Sequence, residues 1–331
     1  MKIAVLGAGS WGTALAIHAG GLGHEVTLWA RDSVHANDLQ ASRKNARYLP
    51  DGVLPVNVSV SANLEESVNA VDVILFAIPL QALREFVLLY LEDLPRAKWV
   101  GTSKGIEATS GKFEHEILSE TAANYAANDY AALSGPTLAG EIALGMPTSA
   151  VIASKSEATS KELQNVLSSD RLRLYRSSDV VGVEFAGAMK NVIALAAGMV
   201  DGMGYGANTK GTLITRGLAE LARLGSAVGG ERKTFVGLSG MGDLATTCMS
   251  PRSRNRQVGE YIGRGDSLDT ALHKTGQVAE GVWTARAAME LGHRFNVSVP
   301  ITEGVCAVLE GKLTAKEAVR GLMERQLKEE D

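Results

Sequence analysis

The sequence predicts a doubly wound α/β domain followed by an all-α domain. Three observations carry this. Strand-like and helix-like stretches alternate over the first half of the chain, the pattern of a parallel sheet with helices on both faces. The run VDVILFAI, residues 71–78, is apolar at nearly every position, as a strand buried on both faces should be. After Ser178 strand character stops and helical periodicity takes over. A length of 331 residues fits about two domains of ~150 residues each.

The strands are read at Lys2 to Leu6, Glu25 to Trp29, Asp72 to Ile78, Lys98 to Gly101, Ala131 to Ser134 and Ser149 to Ala153. Helices fall between them, among others at Gly12 to Ala19 and Leu80 to Leu91. The second half reads as helices at Val180 to Met199, Thr209 to Leu224, Arg256 to Ile262, Val278 to Leu291, Ile301 to Glu310 and Ala315 to Gln326. The boundary is set at the polar turn Arg176-Ser177-Ser178-Asp179, giving domains of 1–178 and 179–331. The tail Lys328 to Asp331 reads as the exposed, frayed end of a helix.

Composition removes several function classes. Two cysteines, Cys248 and Cys306, make neither a disulfide framework nor a four-cysteine zinc site, and no His-Glu-x-x-His occurs, so no metal is expected. A net charge of -4 and a pI near 5.9 argue against a nucleic-acid surface. No apolar run reaches about 18 residues, so no transmembrane helix is expected. The chain starts directly on a strand without a signal-peptide layout, and a reduced, cytoplasmic setting is the default. Glycine is in excess, 36 of 331 residues, against a usual share of about 7%. It concentrates between Gly7 and Gly23 and between Gly198 and Gly242. Such an excess marks turns and close backbone approaches.

The first cluster has a clear reading. Gly7-Ala8-Gly9-Ser10-Trp11-Gly12 fits G-x-G-x-x-G, follows an apolar strand and opens a helix. That is the setting of a Rossmann-type dinucleotide site. Gly7 permits the turn, Gly9 lets backbone approach a pyrophosphate, and Gly12 lets the helix pack close to the strand. The second strand ends in Trp29-Ala30-Arg31-Asp32. A carboxylate at this point would select NAD by binding the ribose 2′-OH. Arg31 stands there instead and pairs well with a 2′-phosphate. This predicts NADP(H) preference or use of both cofactors, with Asp32, one residue on, as the reading that would reverse it.

Two strand ends carry further chemistry. One runs into Thr102-Ser103-Lys104-Gly105, the other into Gly135-Pro136-Thr137. Lys104 reads either as a surface lysine or as a cation near a bound nicotinamide. The helix VGVEFAGAMKNVIALAAGMV is apolar almost all round and carries one cation, Lys190. A buried lysine is costly unless it is paired or functional. Its neighbours at helical spacing, Val183, Ala186, Gly187, Ala194 and Ala197, are mostly small and leave room for a ligand. Ser239-Gly240-Met241-Gly242-Asp243 offers a carboxylate partner, although Asp243 could also simply cap a helix. Cys248 reads as packed rather than nucleophilic. Arg252, Ser253, Arg254, Asn255 and Arg256 cluster at a helix start and suit an anion: substrate phosphate, cofactor phosphate, or both.

Together the segments GAGSWGTALA, LWARD, SKGIE, GPTLAGE, the Lys190-Asn191 helix, GLSGMGDLATTC, SRNR and VAEG resemble the bacterial NAD(P)-dependent glycerol-3-phosphate dehydrogenase family. The resemblance runs in order along nearly the whole chain. It implies a Rossmann-type domain joined to a 6-phosphogluconate-dehydrogenase-like helical domain. It also implies interconversion of dihydroxyacetone phosphate and sn-glycerol 3-phosphate for glycerophospholipid synthesis, with NADPH or NADH. Carried over, Lys190 matches the family's proton donor and acceptor. Lys104, Gly135, Thr137, Lys190, Asp243, Ser253, Arg254 and Asn255 match its substrate contacts. Gly7, Gly9, Ser10, Trp11, Gly12, Arg31, Lys104, Ala139, Arg254, Val278 and Glu280 match its cofactor side. Leu138 stands where the family often has phenylalanine, so one aromatic wall is lost. Two rival readings remain: a β-hydroxyacid or ketopantoate-type NADP dehydrogenase, and a non-catalytic NADP(H) sensor that needs the Gly7 loop but not Lys190. The apolar faces of the helical half suggest a homodimer.

Overall fold

The computed structural model describes residues 1–90, 94–276, 278–327 and 329. Leu91, the end of one predicted helix, and Lys328, Glu330 and Asp331 of the predicted tail lie outside the described residues. The chain divides into two units, Met1–Ser103 with Glu114–Val180, and Lys104–Phe113 with Val181–Asp331.

The first unit holds ten strands among the described residues. They are β1 (Lys2–Leu6), β2 (Glu25–Trp29), β3 (Lys44–Asn45), β4 (Leu49–Val53), β5 (Val58–Ser61), β6 (Val73–Phe76), β7 (Lys98–Gly101), β8 (Tyr130–Ser134), β9 (Thr148–Ala153) and β10 (Leu172–Ser177). Eight form one sheet in the order β10-β9-β8-β7-β6-β1-β2-β5, and β3 pairs with β4 apart from it. All pairings in the large sheet are parallel except β8–β9. The mainly parallel α/β class predicted from alternation is the class observed. β6 is fully buried along its length, as its unbroken apolar run requires.

Two strands of the large sheet were not predicted, β5 and β10, and they form its two edges. Their sequences, VSVS and LRLYRS, alternate apolar with polar residues, so neither shows the dense apolar run used to find the inner strands. The chain runs outward from β1 through β2 to β5, then returns to lay β6 on β1's other side. The strand order thus reverses between β1 and β6, and the Gly7 turn leaves the end of β1. Such a switch point is where open α/β sheets bind ligands.

The second unit is helical, and no strand follows Ser177 among the described residues. Its long helices are Val180–Gly202, Ala207–Ala227, Arg254–Gly263, Glu280–Arg294 and Pro300–Leu309. Phe185, Leu195, Leu221, Phe235, Leu244 and Leu291 lie in one core. Each such side chain contributes roughly 1.5–3 kcal/mol by leaving water. The second glycine cluster is partly explained here. A Cβ on Gly198 would stand 1.9 Å from the Arg256 carbonyl oxygen, and one on Gly259 2.0 Å from that of Leu195. The helices Val180–Gly202 and Arg254–Gly263 therefore meet backbone to backbone.

The helix Val180–Gly202 is long and apolar enough, by length and composition alone, to cross a membrane, which the shorter uninterrupted runs in the sequence did not suggest. Its most apolar window is 94% buried within the protein, as a core helix is. At another junction Glu220 is buried and accepts from Ile301 N (2.8 Å), Thr302 N (2.9 Å) and Thr302 Oγ1 (2.6 Å). Its carboxylate supplies the cap that Val299 cannot give the helix Pro300–Leu309. Burial raises its pKa above the ordinary carboxylate value.

Candidate active site

In the first unit, β1 turns at Gly7, whose φ is +113°, into the helix Ser10–Gly21. A Cβ on Gly7 would lie 2.6 Å from the Ala77 carbonyl oxygen, just past β6, and one on Gly12 1.8 Å from the Gly7 oxygen. Gly9 differs: a Cβ there would meet no heavy atom within 4 Å. The backbone is open at that point, as a pyrophosphate cradle has to be. The helix start has neither a side-chain cap nor an acidic residue in its first turn, so its positive end is not neutralised by the chain itself. The Trp11 Nε1 donor is buried and has no hydrogen-bond partner among the described residues. The residues present therefore fit a dinucleotide. Ser10 is committed in part, its hydroxyl donating to the Tyr48 carbonyl at 2.7 Å.

Arg31 and Asp32 follow β2 with different duties. The Asp32 carboxylate accepts from Val34 N (2.8 Å) and His35 N (3.3 Å) and caps the helix Ser33–Ser42. Arg31 is exposed. Gly135, with φ +151°, and Thr137, whose hydroxyl donates to the Gly135 carbonyl at 3.1 Å, also belong to this unit. Ala139 opens the short helix Ala139–Ala143 there.

The second unit gathers the titratable groups. Lys104 belongs to it through the segment Lys104–Phe113. Lys104 Nζ donates to Asp243 Oδ2 at 2.6 Å, and Lys190 Nζ donates to Asp243 Oδ1. One carboxylate thus holds two ammonium groups. The side chains are 18% exposed for Lys104, 10% for Lys190 and 2% for Asp243. Burial brings the Lys190 pKa down from 10.5 to about 7. The Asp243 charge opposes that fall and the Lys104 charge adds to it. A lysine poised near neutrality can both give and take a proton.

Local structure explains the carboxylate's placement. Leu238–Gly242 forms a π-helical turn, closed by Gly242 N to the Gly237 oxygen at 3.1 Å, and the helix Asp243–Met249 follows. A Cβ on Gly240 would stand 1.9 Å from the Phe235 carbonyl oxygen, so this backbone packs directly on the preceding turn. Asp243 faces the lysines instead of capping its helix. Thr247 steadies it, its hydroxyl donating to the Asp243 carbonyl at 2.7 Å. Ala186, Ala194 and Ala197, expected to leave ligand space around Lys190, are instead fully packed into the helical core. Cys248 is buried too, its thiol pushed up to about 12 by burial, which keeps it protonated.

The predicted anion segment separates into parts. Ser253 caps the helix Arg254–Gly263 by accepting from Arg256 N at 3.3 Å. The amide of Asn255 donates to Asn191 Oδ1 and accepts from Gly281 N, both at 2.9 Å, tying the helix of Lys190 to the start of Glu280–Arg294. Arg256 is already held by two carboxylates. Its Nε donates to Asp201 Oδ2 at 2.7 Å and its other nitrogen meets Glu260 at 3.1 Å. Arg254 is exposed, with Glu280 within electrostatic reach of its guanidinium. Val278 is exposed just before that helix.

The chain matches the family model for the NAD-dependent glycerol-3-phosphate dehydrogenase N-terminus over residues 2–160, and that for the C-terminus over residues 179–320. A glycerol-3-phosphate dehydrogenase (NAD(P)+) of Dechloromonas aromatica is 46% identical over 332 residues, covering 100% of this chain and 99% of that protein. The chain belongs to the NAD-dependent glycerol-3-phosphate dehydrogenase family. A second relative of the same description, from Pelodictyon phaeoclathratiforme, is 45% identical with 100% and 99% covered. A crystal structure of glycerol-3-phosphate dehydrogenase from Coxiella burnetii superposes with a TM-score of 0.93 at 36% identity, covering 98% of this chain and 99% of that one.

As a member of this dehydrogenase family the chain is an NAD(P)-dependent oxidoreductase. Three polar groups of the second unit had escaped the sequence reading. Thr247 follows Asp243 by four residues, a spacing that alone could have flagged it. Asn191 adjoins Lys190 and holds Asn255. Asp201 accepts from both Lys210 (2.8 Å) and Arg256 (2.7 Å), a pairing of distant charges that no local signal reveals.

Proposed function

We propose that this protein reversibly reduces dihydroxyacetone phosphate to sn-glycerol 3-phosphate with NADPH, accepting NADH as well, and so supplies glycerophospholipid synthesis. The observation that carries the reading is the buried Asp243 carboxylate shared by Lys104 and Lys190. Residues 1–178 hold the dinucleotide in this reading, and 179–331 the catalytic groups, with Lys104 joining the second set.

Bound nicotinamide supplies the hydride in one direction and accepts it in the other. Lys190, as ammonium, gives its Nζ proton to the developing alkoxide of the substrate and takes it back in the oxidative direction. Lys104 adds a second positive charge that stabilises the oxygen as it becomes anionic. Asp243 orients both ammonium groups. Gly135, Thr137, Ser253, Arg254 and Asn255 contact the substrate, Arg254 countering its phosphate. Gly7, Gly9, Ser10, Trp11 and Gly12 meet the dinucleotide phosphates. Ala139, Val278, Glu280 and the Lys104 and Arg254 side chains complete the cofactor side. Arg31 favours the 2′-phosphate of NADPH, a reading supported by the commitment of Asp32 to its helix cap. A cytoplasmic homodimer belongs to the same proposal. Cys248 and Cys306 are both free thiols, which suits a reducing compartment.

The deciding assay follows NADPH and NADH oxidation with dihydroxyacetone phosphate, beside a ketopantoate and β-keto acid panel. Turnover confined to dihydroxyacetone phosphate is expected. Faster turnover of a phosphate-free keto acid would refute the substrate assignment.

A further inference from the structure

We infer that Asn45 is a positioning residue of the dinucleotide loop, holding Gly7–Gly12 in its binding shape before the cofactor arrives. The inference rests on the assignment of the cofactor pyrophosphate to that loop. Asn45 ends β3, in the excursion between the helix Ser33–Ser42 and β5, more than thirty residues from the glycines. It is nevertheless fully buried. Its Nδ2 donates to the Ala8 carbonyl at 2.9 Å and to Thr13 Oγ1 at 2.7 Å, while its Oδ1 accepts from Tyr48 N at 3.2 Å. The amide orientation is set by its partners, because a carbonyl can only accept and a backbone N–H can only donate.

These bonds grip the loop where it lacks support of its own. Ala8 lies between two glycines, the residues with the most backbone freedom to lose on ordering. Gly9 brings no side chain to cap the helix that follows. Thr13 lies one turn into that helix, and its N–H takes the Gly9 carbonyl at 3.0 Å. Asn45 therefore holds the residue before Gly9 and the residue that closes on Gly9. The bond from the Ser10 hydroxyl to the Tyr48 carbonyl adds a second tie to the same excursion. A loop held in shape beforehand loses less entropy on binding, so the gain belongs to cofactor affinity. The pyrophosphate is common to NADPH and NADH. Loss of Asn45 should weaken both equally, unlike loss of a residue that reads the 2′-phosphate.

The test measures dissociation constants for NADPH and NADH by quenching of tryptophan fluorescence, beside steady-state kinetics. Asn45→Ala should raise both constants about tenfold, with kcat at saturating cofactor and the KM for dihydroxyacetone phosphate within twofold of the parent. Thr13→Val, which removes one of the two acceptors, should raise them about threefold, and Thr13→Ser should restore the parent values. The double variant Asn45→Ala/Thr13→Val should bind no more weakly than Asn45→Ala. Should Asn45→Ala fail to fold, the Thr13 pair decides alone. Unchanged cofactor affinity in Asn45→Ala or Thr13→Val, additive losses in the double variant, or a parallel fall in kcat would overturn the inference. Gly9→Val separates it from the loop assignment. Gly9 has φ -75° and open space around it, so the free protein tolerates the side chain. Normal cofactor affinity in Gly9→Val would refute the loop assignment itself. Weak binding in Gly9→Val with normal binding in Asn45→Ala would refute only the role of Asn45.

Discussion

Lys190 and Asp243 form a buried ion pair across 53 residues of sequence, the lysine from the middle of an apolar helix and the aspartate from the first position after a π-helical turn. Asp243 gives its other oxygen to Lys104. Removing the carboxylate while keeping its shape therefore takes the countercharge from buried Lys190 and one ion-pair partner from Lys104. Breaking a buried pair in this way typically costs ~3–5 kcal/mol. Asp243→Asn should lose about that much stability in urea unfolding and at least ~100-fold in kcat, a loss of the size that a misplaced acid produces. Because the Asp243 charge holds the Lys190 pKa up, the variant's pH profile should shift to the acid side.

The two reaction directions should respond oppositely to pH. Reduction needs Lys190 protonated, so its kcat/KM, which reports the free enzyme, should fall as pH rises through about 7. Oxidation of sn-glycerol 3-phosphate needs the neutral amine, and its kcat/KM should rise over the same interval. Paired profiles between about pH 5 and 9 check this, since each limb reports one essential group. Stability follows the same proton. Between about 7 and 10.5 the unfolded chain keeps a proton that folded Lys190 has released, so this group makes the fold more stable as pH rises through that window. Below about 7 the buried charge is a full cost. Lys190→Met should flatten that part of the stability curve.

Cofactor choice divides between neighbours. Arg31→Ser should raise the KM for NADPH by ~10-fold or more and leave that for NADH within a few-fold, since it removes one cation from a 2′-phosphate. Asp32→Ala should instead lose ~1 kcal/mol of stability with its helix cap and leave cofactor preference unchanged. A selective loss of NADH use in Asp32→Ala would reassign the ribose contact.

Glycines inside helices should divide by surroundings. Gly259→Ala presses a Cβ within 2.0 Å of the Leu195 carbonyl oxygen, and overpacking of this kind costs ~1–3 kcal/mol or more. Gly211 lies in the exposed part of Ala207–Ala227 with nothing within 4 Å, so Gly211→Ala should stabilise by up to ~1 kcal/mol. Thermal unfolding of the two variants measures both signs.

Much of this was readable before the structure, for physical reasons. β1, the glycine turn and its helix follow from local chemistry, and β6 from an unbroken apolar run. A lone lysine in an apolar helix demands a countercharge. The edge strands β5 and β10 were missed because half of each faces away from the core. The polar helix Ser33–Ser42, held by the Asp32 cap, carries almost no apolar periodicity. Long-range pairings were invisible: Asn45 with Ala8, Asn255 with Asn191 and Gly281, Arg256 with Asp201. Each ties a polar side chain to a backbone or side-chain group far along the sequence, and its sequence neighbours say nothing of the partner. The same applies to Lys104, which follows β7 and pairs within the second unit with Asp243, 139 residues further on.

The central claim is that Lys190 moves the proton. The most direct measurement is the kcat of Lys190→Ala for dihydroxyacetone phosphate reduction at saturating NADPH, with the NADPH dissociation constant taken on the same preparation. If Lys190 moves the proton, the dissociation constant is unchanged and kcat is lower by ~10²–10⁴-fold. A kcat within about tenfold of the parent, with cofactor still bound, would contradict it.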